Sequence, residues 1–173
     1  MIDGKLALQL DLNRALDALS FEIHQYLNDQ GTDDPIMIGI QTGGVWIAQA
    51  LHQRLNLSST LGELNIAYYR DDFDQRGLKG SKAPSNIPHE LNGKTVILID
   101  DVYMTGRTAR AAMNELFDYG RPKSIAFFTL INLHQQELPI QPKYSPIHVS
   151  LDEGQSLKVT SPAPLKLTLF ERS

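Results

Sequence analysis

Residues 96–108 read V-I-L-I-D-D-V-Y-M-T-G-R-T. An apolar, β-branched run leads into two neighbouring carboxylates, Asp100 and Asp101, then into a turn with hydroxyls and a glycine, and a helix begins. That order suits a sugar phosphate. The backbone N–H groups of such a turn, and the N-terminus of the helix behind it, face an anion. The carboxylates can meet hydroxyls, a metal ion or a developing positive charge. Adjacent carboxylates repel each other unless donors or a cation offset them. The 2′- and 3′-hydroxyls of a ribose are such donors, and a nearby Mg²⁺ would also compensate; the plainer alternative is a pair of turn-capping Asp. Gly106 lets backbone approach a phosphate closely, and Thr105 and Thr108 bring hydroxyls. Arg107 either adds charge or points to solvent. Read blandly, the same four residues are an ordinary helix start with a Thr cap. Neither G-x-x-x-x-G-K-[ST] nor G-x-G-x-x-G occurs here, so the segment is neither a P-loop nor a dinucleotide fingerprint.

The elements that must position this segment follow from apolar spacing. Asp11 is an N-cap for a first helix in which Leu12, Leu16, Leu19, Ile23 and Leu27 share one face, and Gly31 ends it. Residues 35–40 form a short apolar strand of the buried parallel kind. Gly43 and Gly44 break it, and a second helix covers 45–55. A strand is expected over 62–69, and a long polar connection over 70–92, of a length that is commonly functional. Further elements are a strand over 94–99, a helix over 108–119 stopped by Gly120 and Pro122, and a strand over 124–131. The tail reads as strands over 146–151 and 157–170, interrupted by Pro162 and Pro164. Alternating strands and helices imply a parallel α/β sheet with right-handed crossovers. Ligands of such sheets sit at the carboxyl ends of the strands, which would gather 41–44, 70–72 and 100–108 at one edge.

The 173 residues suit one domain spanning 1–173. Hydrophobic residues make up 42% and charged residues 21%, as in ordinary soluble proteins. A net charge of −4 argues against a broad nucleic-acid-binding face. There is no cysteine, which excludes disulfide and thiolate chemistry and agrees with a cytoplasmic location. The first residues do not form a secretory signal. No apolar stretch approaches the roughly 20 residues needed to cross a bilayer.

The 96–108 segment resembles the phosphoribosyl-pyrophosphate (PRPP) motif of type I phosphoribosyltransferases. Other segments resemble the bifunctional pyrimidine-operon regulator / uracil phosphoribosyltransferase family: G-I-Q-T-G-G at 39–44, Y-R-D-D at 69–72, D-Y-G-R-P-K-S-I at 118–125 and E-L-P-I at 137–140. The resemblance implies an α/β type I fold with a central, mainly parallel sheet flanked by helices and a mobile hood loop. It implies transfer of ribose 5-phosphate from PRPP to uracil, giving UMP and pyrophosphate, with Mg²⁺. Asp100 and Asp101 would hold the ribose hydroxyls, stabilise charge at the anomeric carbon, and meet the metal through water and substrate. Met104, Thr105, Gly106, Arg107 and Thr108 would cradle the 5′-phosphate, with Val102, Tyr103 and Asn132 also lining the substrate. Thr42, Gly43 and Gly44 would form the pyrophosphate loop. Arg70 would open the hood and act in catalysis, with Arg76, Lys79 and Lys82 on the same segment. Purine enzymes of this kind usually place an acidic residue where Met104 stands, which favours a pyrimidine. A homo-oligomer is implied as well, and attenuator RNA is a possible partner, although no run of Lys and Arg marks a face for it.

The chain also departs from the pattern. The best-known members have K-T-R-G where this chain has Gln41, Thr42, Gly43 and Gly44. Where the family has D-R-G-H-R-E-L-P-I, this chain reads N-L-H-Q-Q-E-L-P-I over 132–140. Ser145 and Pro146 follow Tyr144 in place of G-K. Two alternatives therefore stand beside the uracil enzyme: a catalytically weak regulator that senses UMP or UTP, and a phosphoribosyltransferase for another base.

Overall fold

A computed structural model describes residues 10–66 and 84–171. Helix α1 spans Leu12–Gln30, with the Asp11 carboxylate accepting the Arg14 N–H and Gly31 closing the helix at φ 58°. Leu16, Leu19, Ile23 and Leu27 are buried along its inner stripe, as their spacing requires. Strand β1, Ile36–Ile40, is buried throughout. Helix α2, Gly43–Leu55, begins two residues earlier than apolar spacing predicts. Strand β2 is only Gly62–Leu64. Strand β3 runs Thr95–Tyr103, helix α3 runs Arg107–Leu116, and a 3₁₀ turn at Phe117–Tyr119 finishes it. Strand β4 is Ser124–Asn132 and β5 is just Ile147–His148. Strands β6, Gln155–Pro162, and β7, Leu165–Glu171, end the described chain.

Five strands form one sheet in the order β2-β1-β3-β4-β5, and every pair in it is parallel. The tail departs from the expected strands. Only two residues of 146–151 join the sheet, while β6 and β7 form a separate antiparallel hairpin. The two prolines lie at the end of β6 and in the turn, where no ladder N–H is needed.

The sheet is apolar on both faces. Ile97, Ile99 and Phe128 lie in a layer with Leu19 and Ile23 of α1, Ile47 and Leu51 of α2, and Val159 and Leu167 of the hairpin. Val96, Leu98 and Phe127 lie in the opposite layer with Ala112 and Leu116 of α3. This assignment follows the two-residue period of a strand. At the carboxyl end of β3 the alternation shifts, since Val102 and Met104 pack against the first layer and Tyr103 belongs to the second.

The connection expected over 70–92 falls largely outside the described residues, and Arg70, Arg76, Lys79 and Lys82 lie there. Its return is seen at Asn86, which exchanges backbone hydrogen bonds of 2.8 and 2.7 Å with Glu63 of β2. Among the described residues no helix is long and apolar enough to cross a membrane.

Candidate active site

Strand order places the site. The chain moves from β1 to β2 on one side and through β3, β4 and β5 on the other, so direction reverses between β1 and β3. Sheets of this order bind ligands in the crevice outside that switch point. The residues bordering it are the start of α2 and the end of β3.

Sequence reading ends β3 at Ile99, just before the Asp pair. The strand instead continues to Tyr103, with Asp100 opposite Thr129 and Val102 opposite Ile131 on β4. The carboxylates are therefore held by a ladder, and strand alternation gives them different surroundings. Both are buried, at 2% and 6% exposure. Asp100 Oδ1 accepts the Asp101 N–H at 2.9 Å. Asp101 Oδ1 accepts the Val102 N–H at 3.0 Å, and its Oδ2 accepts the Val159 N–H at 3.2 Å. The last of these bonds ties the site to the C-terminal hairpin. No side-chain signal could have revealed it, because the donor is backbone.

Gly43 and Gly44 make the crevice possible. A Cβ on Gly43 would lie 2.1 Å from Asp101 Oδ2, and one on Gly44 would lie 2.7 Å from the Ile99 carbonyl oxygen. Only glycine lets the first turn of α2 approach the carboxylates this closely. Thr42 is exposed and makes no side-chain capping bond to α2, and the Gln41–Thr42 peptide is cis. The buried Gln41 amide donates to Glu63 Oε2 at 3.4 Å. No basic side chain occurs in 41–44.

The turn after β3 has the form of an anion cradle. Thr105 Oγ1 accepts the Arg107 N–H at 3.2 Å, and Gly106 takes φ +96° to start α3. The first amides of a helix have no acceptor within it, so they can serve an anion. Thr108, in that first turn, is half-buried. Val102 and Met104 are half-buried against the apolar layer under α1 and α2. The 133–141 segment clasps this turn. The N–H groups of Glu137 and Leu138 donate to the Thr105 carbonyl at 3.0 and 3.1 Å, and Arg107 pairs with Glu137. The Tyr103 hydroxyl donates to the Ile140 carbonyl at 2.5 Å, and burial pushes its pKa above the ordinary 10.0. Arg107 thus has a carboxylate partner rather than pointing freely to solvent. Asn132, at the end of β4, accepts the His134 N–H at 2.8 Å. His134 is exposed, as most surface-loop histidines are, but it is paired with His148.

The crevice thus brings together Gly43, Gly44, Asp100 and Asp101, with the 104–108 turn beside them. A profile for the phosphoribosyl transferase domain matches residues 8–154. The chain belongs to the phosphoribosyltransferase family. The protein named Bifunctional protein PyrR from Pseudomonas syringae pv. tomato (strain ATCC BAA-871 / DC3000) is 47% identical over 155 residues, covering 90% of this chain and 91% of the relative. Its namesake from Pseudomonas putida (strain W619) is 48% identical over 149 residues, with 86% and 87% covered. Among solved structures, a hypoxanthine-guanine phosphoribosyltransferase (hpt-2) from Bacillus anthracis str. 'Ames Ancestor' superposes with a TM-score of 0.64 at 20% identity, covering 83% of this chain and 81% of that one. A purine phosphoribosyltransferase from Pyrococcus horikoshii Ot3 gives 0.59 at 25% identity, with 79% and 82% covered. The expected type I phosphoribosyltransferase fold is the fold observed, and the resemblance to the bifunctional pyrimidine regulators holds. As a phosphoribosyltransferase, the chain falls in the pentosyltransferase class.

Proposed function

We propose that the chain, as one domain over 1–173, transfers ribose 5-phosphate from PRPP to uracil and takes part in regulating pyrimidine biosynthesis genes. The observation that carries this reading is the fit of Gly43 and Gly44 against the two carboxylates at the β1–β3 switch point. A crevice with buried acidic groups on one wall and a helix N-terminal turn beside it suits a phosphorylated sugar with free hydroxyls. The names of the curated relatives support the pyrimidine assignment.

Asp100 and Asp101 accept from the ribose hydroxyls and offset positive charge at the anomeric carbon. Residues 104–108 hold the 5′-phosphate, with Val102, Tyr103 and Asn132 lining the rest of the substrate. Thr42, Gly43 and Gly44 present backbone to pyrophosphate. Arg70 and its segment close over it and exclude water, which would otherwise hydrolyse the activated sugar. In the transfer the anomeric C–O bond breaks and its electron pair leaves with pyrophosphate. Uracil N1 forms the new bond and releases its proton. No protein nucleophile is needed.

The donor set fits Mg²⁺ held indirectly. Both Asp101 oxygens already accept backbone N–H groups, and no cluster of three or more ligating side chains occurs among the described residues. An ion that keeps its waters and binds substrate oxygens suits such a site. When bound it neutralises the departing pyrophosphate.

Calorimetry with PRPP, UMP and GMP, each with Mg²⁺, followed by a turnover assay on the same sample, tests the reading. Binding of PRPP and UMP but not GMP, with uracil turned over, is the expected result. Absence of PRPP binding overturns it. A preference for hypoxanthine would move the activity to another base. The lack of any cation in 41–44 favours a second reading, a weakly catalytic sensor of UMP or UTP acting on attenuator RNA. Tight UMP binding without turnover selects that one. A cytoplasmic, homo-oligomeric protein is part of the same proposal.

A further inference from the structure

The last residues of three neighbouring strands form one row across the carboxyl edge. Tyr103 of β3 stands opposite Asn132 of β4, and Asn132 stands opposite His148 of β5. Adjacent strands lie about 4.8 Å apart and residues advance about 3.3 Å along them, so the backbones of Asp101 and His148 are separated by roughly 12 Å. Both lie at the carboxyl edge of the sheet, where sheets of this order bind their ligands.

His134 projects beside this row. Its φ is +55°, a left-handed conformation that non-glycine residues seldom adopt. In the related pattern D-R-G-H-R-E-L-P-I a glycine occupies this position, so the His stands on a backbone made for glycine. Two bonds hold it there. Asn132 Oδ1 accepts its N–H at 2.8 Å. Its Nε2 lies 2.9 Å from His148 Nδ1. The ring centroids are 4.8 Å apart, much farther than the nitrogens, and the planes are 23° from parallel. The rings are therefore stacked with an offset that brings these two nitrogens to hydrogen-bond distance. Both side chains are exposed, on residues at the carboxyl ends of β4 and β5. A strained residue held by specific partners at such an edge points to use in binding.

We propose that His134 and His148 read the edge of the pyrimidine base, a role that rests on the phosphoribosyl reading above. A neutral pair has a fixed inventory. If His134 Nε2 donates, its Nδ1 is an acceptor and His148 Nε2 is an N–H donor. If His148 Nδ1 donates, the roles at both ends exchange. Moving protons between ring nitrogens thus lets the ring that faces the ligand offer either a donor or an acceptor without breaking the pair. A pyrimidine-2,4-dione presents an N–H flanked by two carbonyl oxygens and is satisfied by either form. The pair supplies polar contacts in a segment without the arginines of the D-R-G-H-R-E-L-P-I pattern.

Calorimetry of UMP and of ribose 5-phosphate, both with Mg²⁺, is compared for wild type, His134→Gly and His148→Ala. Wild type binds UMP about tenfold more tightly than ribose 5-phosphate, as hydrogen bonds to the base would give. Each variant loses most of that margin and keeps its ribose 5-phosphate affinity. Glycine suits the backbone at 134, so that variant also controls for folding. Retention of the margin in both variants overturns the proposal, as does an equal loss for both ligands. Wild-type protein that binds ribose 5-phosphate but gains nothing from the base overturns the role of the pair alone. Wild-type protein that binds neither overturns the phosphoribosyl reading with it.

Discussion

The backbone N–H of Val159 donates to Asp101 Oδ2 across a separation of 58 residues in sequence. A carboxylate at the switch point of the parallel sheet is thereby fixed by the antiparallel hairpin that follows it. Removing the acceptor strands two donors, because Val102 N–H relies on the same side chain. Asp101→Ala is expected to cost about 1–3 kcal/mol in urea denaturation and to abolish ribose 5-phosphate binding. Asp101→Asn keeps one acceptor but turns an N–H₂ group toward a second donor, so it recovers only part of the stability. An alanine variant as stable as wild type would show that the two bonds contribute nothing.

Gly43→Ala tests the close approach of α2. The added methyl would fall 2.1 Å from Asp101 Oδ2 and 2.5 Å from its Cγ. Overpacking of this kind costs about 1–3 kcal/mol, and relief must come from moving the carboxylate. Ribose 5-phosphate affinity should fall at least tenfold by calorimetry. Gly31→Ala is the matched control. Its φ of +58° is strained for alanine but nothing lies within 4 Å, so it should lose stability and keep full affinity.

Gly106→Ala probes the anion turn. The residue has φ +96°, and a Cβ would sit 3.3 Å from that of Leu138. A side chain in this conformation costs about 1–3 kcal/mol. Relaxation to negative φ would swing the first amides of α3 away from the phosphate position. Affinity for ribose 5-phosphate should drop more than the urea midpoint, and equal retention of both would remove the turn from the site.

Tyr103 supplies a pH signature. Burial raises its pKa above 10.0, so folding favours the protonated phenol. Its contribution is complete below the unfolded value and is lost as pH rises through the folded one. Stability should therefore decline in the alkaline range above pH 10. Tyr103→Phe gives up the bond to the Ile140 carbonyl, about 1 kcal/mol at neutral pH, and should flatten that alkaline decline. Urea midpoints at pH 8 and above pH 10 for both proteins decide it. An unchanged alkaline slope in the variant rules Tyr103 out.

The strands and helices were legible wherever apolar period and caps coincide. Asp11 and Gly31 bracket α1 as their chemistry predicts, and the run ending at Ile99 announces β3. Its continuation through Asp100 and Asp101 was not legible, because polar residues at the end of a strand look like the start of a turn. The brevity of β2 and β5 depends on neighbouring strands rather than on their own residues. The glycine pair and the carboxylates were found by type and spacing. Their partners on the hairpin were not, since Val159 contributes an amide that any residue but proline would offer. Glu137 lay within a motif already noted, yet its ion pair with Arg107 needed the fold to bring the two together.

The hairpin also orders events in time. Translation proceeds from the N-terminus, so Asp101 is made 58 residues before the amide that secures it. At about 5–20 residues per second that interval is roughly 3 to 12 seconds. The nascent chain thus carries both its glycines and both its carboxylates while one of those carboxylates still awaits its anchor, and the crevice acquires its finished form only once the ribosome has passed Val159.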